Sequence, residues 1–228
     1  MRSNPKIGES IVRRIFLFIV AFLLLTSMSI AEDIWNLDFE SAGGYNTSVN
    51  EFTDGSDDYF KRTDGTDIAG VSFSNILGSY YFAAQDIDGE DATLPVTLTI
   101  DDIDISGFSD LEFSVYLAED NDGTNQNWDA ADYVHIDYDI DNSGNFTNLI
   151  WVEAEDGTNT APKIDTDFDG VGDGTEITDA FTQFSNSISG TGSLIDIKIT
   201  FDLDDGDTDI AIDNLKITEI HNPTSFSI

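Results

Sequence analysis

The sequence predicts an all-β protein: an antiparallel β-sandwich of jelly-roll type with Asp/Gly-rich loops, placed after a cleaved signal peptide. Three observations carry the prediction. Apolar and polar residues alternate with a period of two in stretch after stretch, and only one segment suggests a helical period. The alternating stretches are short and regularly spaced, as in sandwiches and barrels. The segments between them are rich in Asp, Gly, Asn and Thr, and Asp outnumbers Glu 34 to 11. Asp bonds nearby backbone N–H groups in turns, so this acid marks many turns rather than acidic helices.

Taken in order, the chain opens with a basic stretch (Arg2, Lys6, Arg13, Arg14), an apolar run from Ile15 to Leu25, and the small-x-small site Ser29-Ile30-Ala31. That is the pattern of a secretory signal peptide. The apolar run is too short to span a bilayer, which takes about 20 residues. Residues 1–31 are therefore expected to be removed, leaving a β-sandwich over 32–220 and a tail or linker over 221–228. Trp35, Leu37 and Phe39 alternate in a first strand, Tyr59 to Arg62 is a weaker one, and Tyr80 to Gln85 is another. Leu94, Val96, Leu98 and Ile100 alternate, as do Leu111, Phe113, Val115 and Leu117, then Val134, Ile136, Tyr138 and Ile140. Asp141 to Asn145 is a turn into Phe146 to Val152, which predicts a hairpin. Ile195 to Leu203 and Ile210 to Ile220 close the series. Ile177, Phe181, Phe184 and Ile188 fit a helical spacing, but their Thr- and Ser-rich surroundings and Gly190 favour a strand.

The charge is lopsided: 45 acids against 9 bases, a formal net charge of −36. Without residues 1–31 the balance is 44 acids to 5 bases, a net charge of −39. Such a surface repels nucleic acid and anionic lipid, leaving divalent cations, cationic surfaces and neutral polymers as partners. With no cysteine, thiolate metal sites and a Cys nucleophile are excluded. A disulfide-free secreted domain must be held by its core and by any metal it binds. At 40% apolar residues the chain can build that core.

One stretch of acid is spaced for definite chemistry. Asp165-Thr-Asp167-Phe-Asp169-Gly170-Val171-Gly-Asp173-Gly-Thr-Glu176 fits the calcium-loop pattern D-x-D-x-D-G-x5-E. Asp165, Asp167 and Asp169 supply carboxylates, Gly170 permits the sharp turn, and Val171 offers its carbonyl. Asp173 would act directly or through water, and Glu176 would bind with both oxygens. Gly172 at position eight and Pro162 upstream depart from an EF-hand, because neither suits flanking paired helices. The expectation is an isolated structural calcium loop; the competing reading is a solvated Asp-rich loop.

Further residues carry a resemblance. Asp58-Tyr-Phe-Lys-Arg-Thr-Asp-Gly65, Tyr81 to Gly89, Asp102 to Gly107, Trp128-Asp-Ala-Ala-Asp-Tyr-Val134 and Ile210-Ala-Ile-Asp-Asn-Leu215 resemble a jelly-roll module of secreted multidomain proteins of Gram-negative bacteria. Such modules accompany lamin-tail, adhesion or nuclease domains. More loosely, the chain is similar to carbohydrate-binding jelly rolls that open with Phe-Glu and close with Asp-Asp or Asp-Asn around a structural calcium. Phe39-Glu40 and Asp213-Asn214 match that pattern. The resemblance makes Glu40 and Asp213 candidates for a second calcium, provided first and last strands pair.

Other acidic clusters fit the calcium-loop pattern less completely. Asp137, Asp139 and Asp141 share one strand face and read as a solvated surface, and Asp202 to Asp209 reads as a charged turn. His135 and His221 are the only histidines, and no nucleophile–base pairing or G-x-S-x-G elbow accompanies them. Trp128, in the polar loop Asn125 to Asp129, is the candidate for stacking on a sugar; its competing reading is an anchor folded onto the sandwich. The sequence thus points to a secreted, calcium-binding, non-enzymatic module for binding or adhesion, with an extracellular glycan or cell-surface component as partner. The alternative is an accessory domain of an extracellular degradative enzyme, polysaccharide- or nuclease-associated, whose catalytic part lies outside this chain.

Overall fold

A computed structural model describes residues 31–54, 57–90, 92–120, 126–155 and 157–220. The expected signal peptide, apart from Ala31, and the tail from 221 lie outside the described residues. The strands are β1 (Ala31–Leu37), β2 (Asn46–Thr47), β3 (Phe52–Thr53), β4 (Tyr59–Thr63), β5 (Tyr81–Gln85), β6 (Val96–Asp104) and β7 (Leu111–Ala118). They continue as β8 (Tyr133–Ile140), β9 (Thr147–Ala154), β10 (Pro162–Asp165), β11 (Thr182–Ser187), β12 (Leu194–Asp202) and β13 (Asp209–Ile220). A single 3-10 turn, Ile87–Glu90, is the helical element among the described residues.

Two antiparallel sheets form the jelly-roll sandwich. Sheet A runs β11-β7-β13-β5-β4-β3, with β1 also paired to β13, so the first and last strands do meet. Sheet B runs β10-β9-β8-β12-β6-β2. The sequence alternation dictates which face each strand buries. In β12 the order Leu194 to Asp202 alternates between partly and fully buried at every step. Ile195, Ile197, Ile199 and Phe201 thereby enter the core. Phe60 meets Phe82 and Phe201 edge-on there, at centroid distances of 4.9 Å and 5.3 Å. Each such buried ring contributes roughly 1.5–3 kcal/mol from area alone.

A second apolar layer lies on the opposite face of sheet A, where Tyr59, Tyr81, Ala83, Ala118 and Ala211 are covered by Phe73 and Phe181. Small residues on β5, β7 and β13 leave room for this cover. The Ile177–Ile188 segment resolves as expected for a strand: Thr182–Ser187 forms β11 at the edge of sheet A, paired to β7. Ile177, Phe181 and Ile188 flank it as buried anchors. The predicted hairpin is present, with β8 pairing β9 across the 141–145 turn.

One expectation is corrected. Asp137 and Asp139 do not form a solvated sheet face, being 8% and 3% exposed. Asp137 accepts a 2.9 Å bond from the Trp151 indole N–H, and Asp139 caps the hairpin by accepting from Ser143 and from Gly144 N at 2.7 Å. Asp141 accepts from Ser193 N and Leu194 N. Carboxylates here act as turn clamps, because a short acidic side chain can take several backbone donors at once.

Candidate calcium loop and acidic surfaces

The motif at 165–176 begins where β10 ends. Asp165 is paired in register with Trp151 of β9 and is 1% exposed. Its Oδ1 accepts from Asp167 N (3.1 Å) and Phe168 N (2.7 Å), and its Oδ2 accepts from Gly170 N (2.9 Å). One carboxylate thus winds the backbone around itself. Phe168 and Gly170 take positive φ of 61° and 89°, the second of which glycine accommodates without strain. The result brings carboxylate oxygens of Asp165, Asp167 and Asp169 within 4.8 Å of one another. The Asp169 charge is the leading reason that the Asp167 carboxyl is raised above its ordinary range. The three aspartates therefore converge and repel, as a cation site requires.

The rest of the motif is placed differently. Asp173 Oδ1 accepts from Thr166 N (2.9 Å) and Thr166 Oγ1 (2.8 Å), bonds that lower its carboxyl. Val171 donates its N–H to Asp169 Oδ1 at 3.2 Å. Glu176 forms an isolated bridge with Lys163 and is not part of the aspartate trio; its charge is felt instead by Lys163 and by Glu119. Gly172 has a packing reason: a Cβ there would collide with the Glu153 carbonyl and come within 2.9 Å of Lys163 Cβ, while its N–H bonds Ala154 O at 2.8 Å. The loop folds flat onto β9 and β10 and is flanked by strands, not helices.

An aromatic column abuts this loop. On sheet B, His135 stacks between Tyr133 (4.2 Å) and Trp151 (3.7 Å, planes 7° apart), and Phe168 packs edge-on against Trp151 at 5.5 Å. The column is wired by carboxylates: Glu153 bonds His135, and Asp137 holds Trp151. Loop and sheets also border a pocket of about 260 Å³ lined by Ile164, Asp165, Phe168, Phe184 and Asn186 among others.

At the second candidate site the structure brings Glu40 and Asp213 into electrostatic contact. Burial first, then the Glu40 and Asp38 charges, push the Asp213 carboxyl up to about 7, while Asn214 N–H opposes the rise. Asp213 Oδ1 accepts from Asn214 N (2.6 Å), and its Oδ2 is buried without a hydrogen-bond partner. Glu40 Oε1 caps Ser79 N (2.6 Å) and Tyr80 N (2.9 Å), which lowers its carboxyl.

Trp128 is corrected. It is 0% exposed in the main core and presents no ring face to a ligand. Its backbone pairs with Thr160 across the loop, so the indole anchors that loop by filling the sandwich end.

The residues that sequence reasoning passed over lie at one end of the sandwich, where β4 and β13 begin and β5 and β7 end. Burial pushes Glu119 up to about 9, with the Asp209 charge as the next cause and a hydrogen bond from Gln126 opposing it. Burial likewise carries Asp132 to about 7, and burial with the Asp58 charge carries Asp86 to about 7. Only the position of Glu119 directly after the apolar strand Leu111–Ala118 hinted at a buried acid.

No protein-family model matches the chain, and no curated protein matches it. Among solved structures, similarity is found to the CBM22-1 xylan-binding domain of Paenibacillus barcinonensis Xyn10C (9% identity, TM-score 0.44, covering 86% of this chain and 100% of that one). It is found also to the CBM22-1–GH10 modules of Clostridium thermocellum xylanase 10B (13%, 0.44, 88% of this chain and 30% of that one). A third is the K2 cleaved adhesin domain of Lys-gingipain (13%, 0.42, 80% and 96%).

Proposed function

We propose that the chain is a secreted, calcium-stabilised, non-enzymatic binding module whose ligand is a neutral extracellular glycan. The observation that supports this best is the convergence of Asp165, Asp167 and Asp169 in a loop whose Phe168 abuts the aromatic column. An oxygen-only donor set of this kind suits a hard cation such as Ca²⁺. With an ion held by these three aspartates, their mutual repulsion becomes attraction and Phe168 is fixed against Trp151. The rim of the pocket beside the loop is then fixed too. Aromatic edges flanked by hydrogen-bonding carboxylates suit a neutral polyol. A net charge of −36 disfavours an anionic one. Glu40 and Asp213 are the proposed second calcium position, supported by the buried, unpartnered Asp213 Oδ2.

The test has two arms. Calcium should raise the melting temperature, EGTA should reverse the rise, and Asp169→Ala should abolish most of it. Retention on a glycan array should require calcium and fall in Trp151→Ala. A melting temperature indifferent to EGTA, with Asp169→Ala matching wild type, would refute the loop ion; uniform failure on the array would refute the glycan.

A further inference from the structure

Among the described residues, the charges that act on Glu119 are all acidic: Asp209, Asp120 and Glu176. Between 32 and 220 the bases are Lys61, Arg62, Lys163, Lys198 and Lys216. Each is engaged elsewhere: Lys61 with Asp67, Lys163 with Glu155, Lys198 with Asp137 and Lys216 with Asp33. Arg62 bonds the Phe39 and Glu40 carbonyls and lies 3.6 Å over the Tyr80 ring. Yet Glu119 is 0% exposed and Asp209 is 3% exposed. Burying charge without an opposite charge is costly.

The polar groups around this acid are orphaned in the same place. Glu119 Oε2 takes a 3.3 Å bond from Gln126, but its Oε1 is buried without a partner. Gln85 lies opposite Asp209 in register; its amide nitrogen bonds the Gly206 carbonyl, leaving Oε1 buried and unpartnered. Thr208, next to Asp209 and 0% exposed, has an unpartnered Oγ1. Asp209 Oδ1 accepts from Asp120 N at 3.0 Å, which ties the end of β7 to the start of β13. Orphaned buried polar atoms are rare in folded proteins and call for an explanation. Here two neutral oxygens, from Gln85 and Thr208, are buried at the start of β13 beside two carboxylates.

We propose that Glu119 and Asp209, assisted by the side-chain oxygens of Gln85 and Thr208, form a divalent-cation site of the calcium class at this end of the sandwich. The donors are all oxygen, two anionic and two neutral, which suits Ca²⁺ rather than a softer metal. The cation supplies a positive charge beside Glu119, and it satisfies Glu119 Oε1, Gln85 Oε1 and Thr208 Oγ1, the buried oxygens without a hydrogen-bond partner. It joins the ends of β5 and β7 to the start of β13. This site shares no ligand with the 165–176 loop, so either one can fail while the other stands.

Calcium binding by the purified chain, measured by titration calorimetry, tests it. The Asp167→Asn/Asp169→Asn variant, lacking the loop ion, should still bind calcium and still gain melting temperature from it. Adding Glu119→Gln or Asp209→Asn should each remove one equivalent of bound ion. Asp209→Asn keeps an acceptor for Asp120 N, so it decides the matter should Glu119→Gln fail to fold. If both variants fold and keep the full calcium stoichiometry, the proposal is overturned. It is overturned equally if Glu119→Gln raises the calcium-free melting temperature without changing the stoichiometry, because Glu119 is then a protonated buried acid.

Discussion

The loop at 165–176 and the sandwich end at Glu119 are both acidic, yet they accommodate their acid in opposite ways. In the loop the carboxylates are mostly exposed, come from one run of sequence, and are satisfied by that run's own N–H groups, as when Asp165 takes three of them. At the sandwich end Glu119 and Asp209 are buried and distant in sequence, and Glu119 keeps one oxygen without a donor. Water screens the first set when no ion is bound, whereas burial keeps Glu119 from that screening. A cation should therefore organise the loop locally but hold the sandwich end together globally.

The largest expected effect is that of calcium on the Asp167→Asn/Asp169→Asn variant. One ion at a hundredfold excess over its dissociation constant adds about 2.7 kcal/mol to stability. Thermal denaturation with and without EGTA measures it; if the calcium gain disappears entirely, the two regions do not differ as described.

The second effect is that of pH on the calcium-free protein, and its sign differs between the buried acids of the sandwich end and Asp173 of the loop. Glu119 rises from 4.5 to about 9 in the folded state, and Asp132 from 3.8 to about 7. The folded state then binds more protons than the unfolded one, so stability is full below about pH 4 and falls as pH rises toward 9. Allowing for water penetration, the loss is on the order of 1–3 kcal/mol. Asp173 in the loop is lowered, so its contribution runs the other way: present above the ordinary carboxylate range, lost as pH falls through its lowered value. Urea unfolding at pH 5 and pH 8 should show the calcium-free protein weaker at pH 8, with the difference reduced in Glu119→Gln.

A smaller change is expected from Phe168→Ala, which removes the edge-on contact with Trp151. The loss is roughly 0.5–1.5 kcal/mol beyond area burial, read as a change in Trp151 fluorescence on adding calcium. The smallest is Thr166→Val, which removes the hydroxyl bond to Asp173 but keeps the backbone one. It should weaken calcium binding less than Asp169→Asn does, by calorimetry.

What could be read in advance follows the same division. Alternation located β6, β7, β8 and β12, because a sheet with one buried face imposes a period of two on side chains. The calcium loop was legible because its ligands lie within twelve residues. The short edge strands β2, β3 and β10 carry too few residues to show a period. Asp137 and Asp139 alternated like surface residues, but Trp151 and the 141–145 turn bury them. Trp128 sat among polar neighbours that suggested exposure, yet only the fold shows the cavity its indole fills.

By itself the sequence determined a β-sandwich, a large excess of acid with few bases, and one contiguous oxygen-rich loop, since each depends on residues near one another in the chain. Tertiary structure alone decided that Glu176 leaves the aspartate trio, that Tyr133, His135 and Trp151 stack, and that Glu119 and Asp209 share one end while the five described bases are engaged elsewhere. These depend on which strands become neighbours, and strand pairing is a non-local choice in which burial of the whole core outweighs the preference of any single segment.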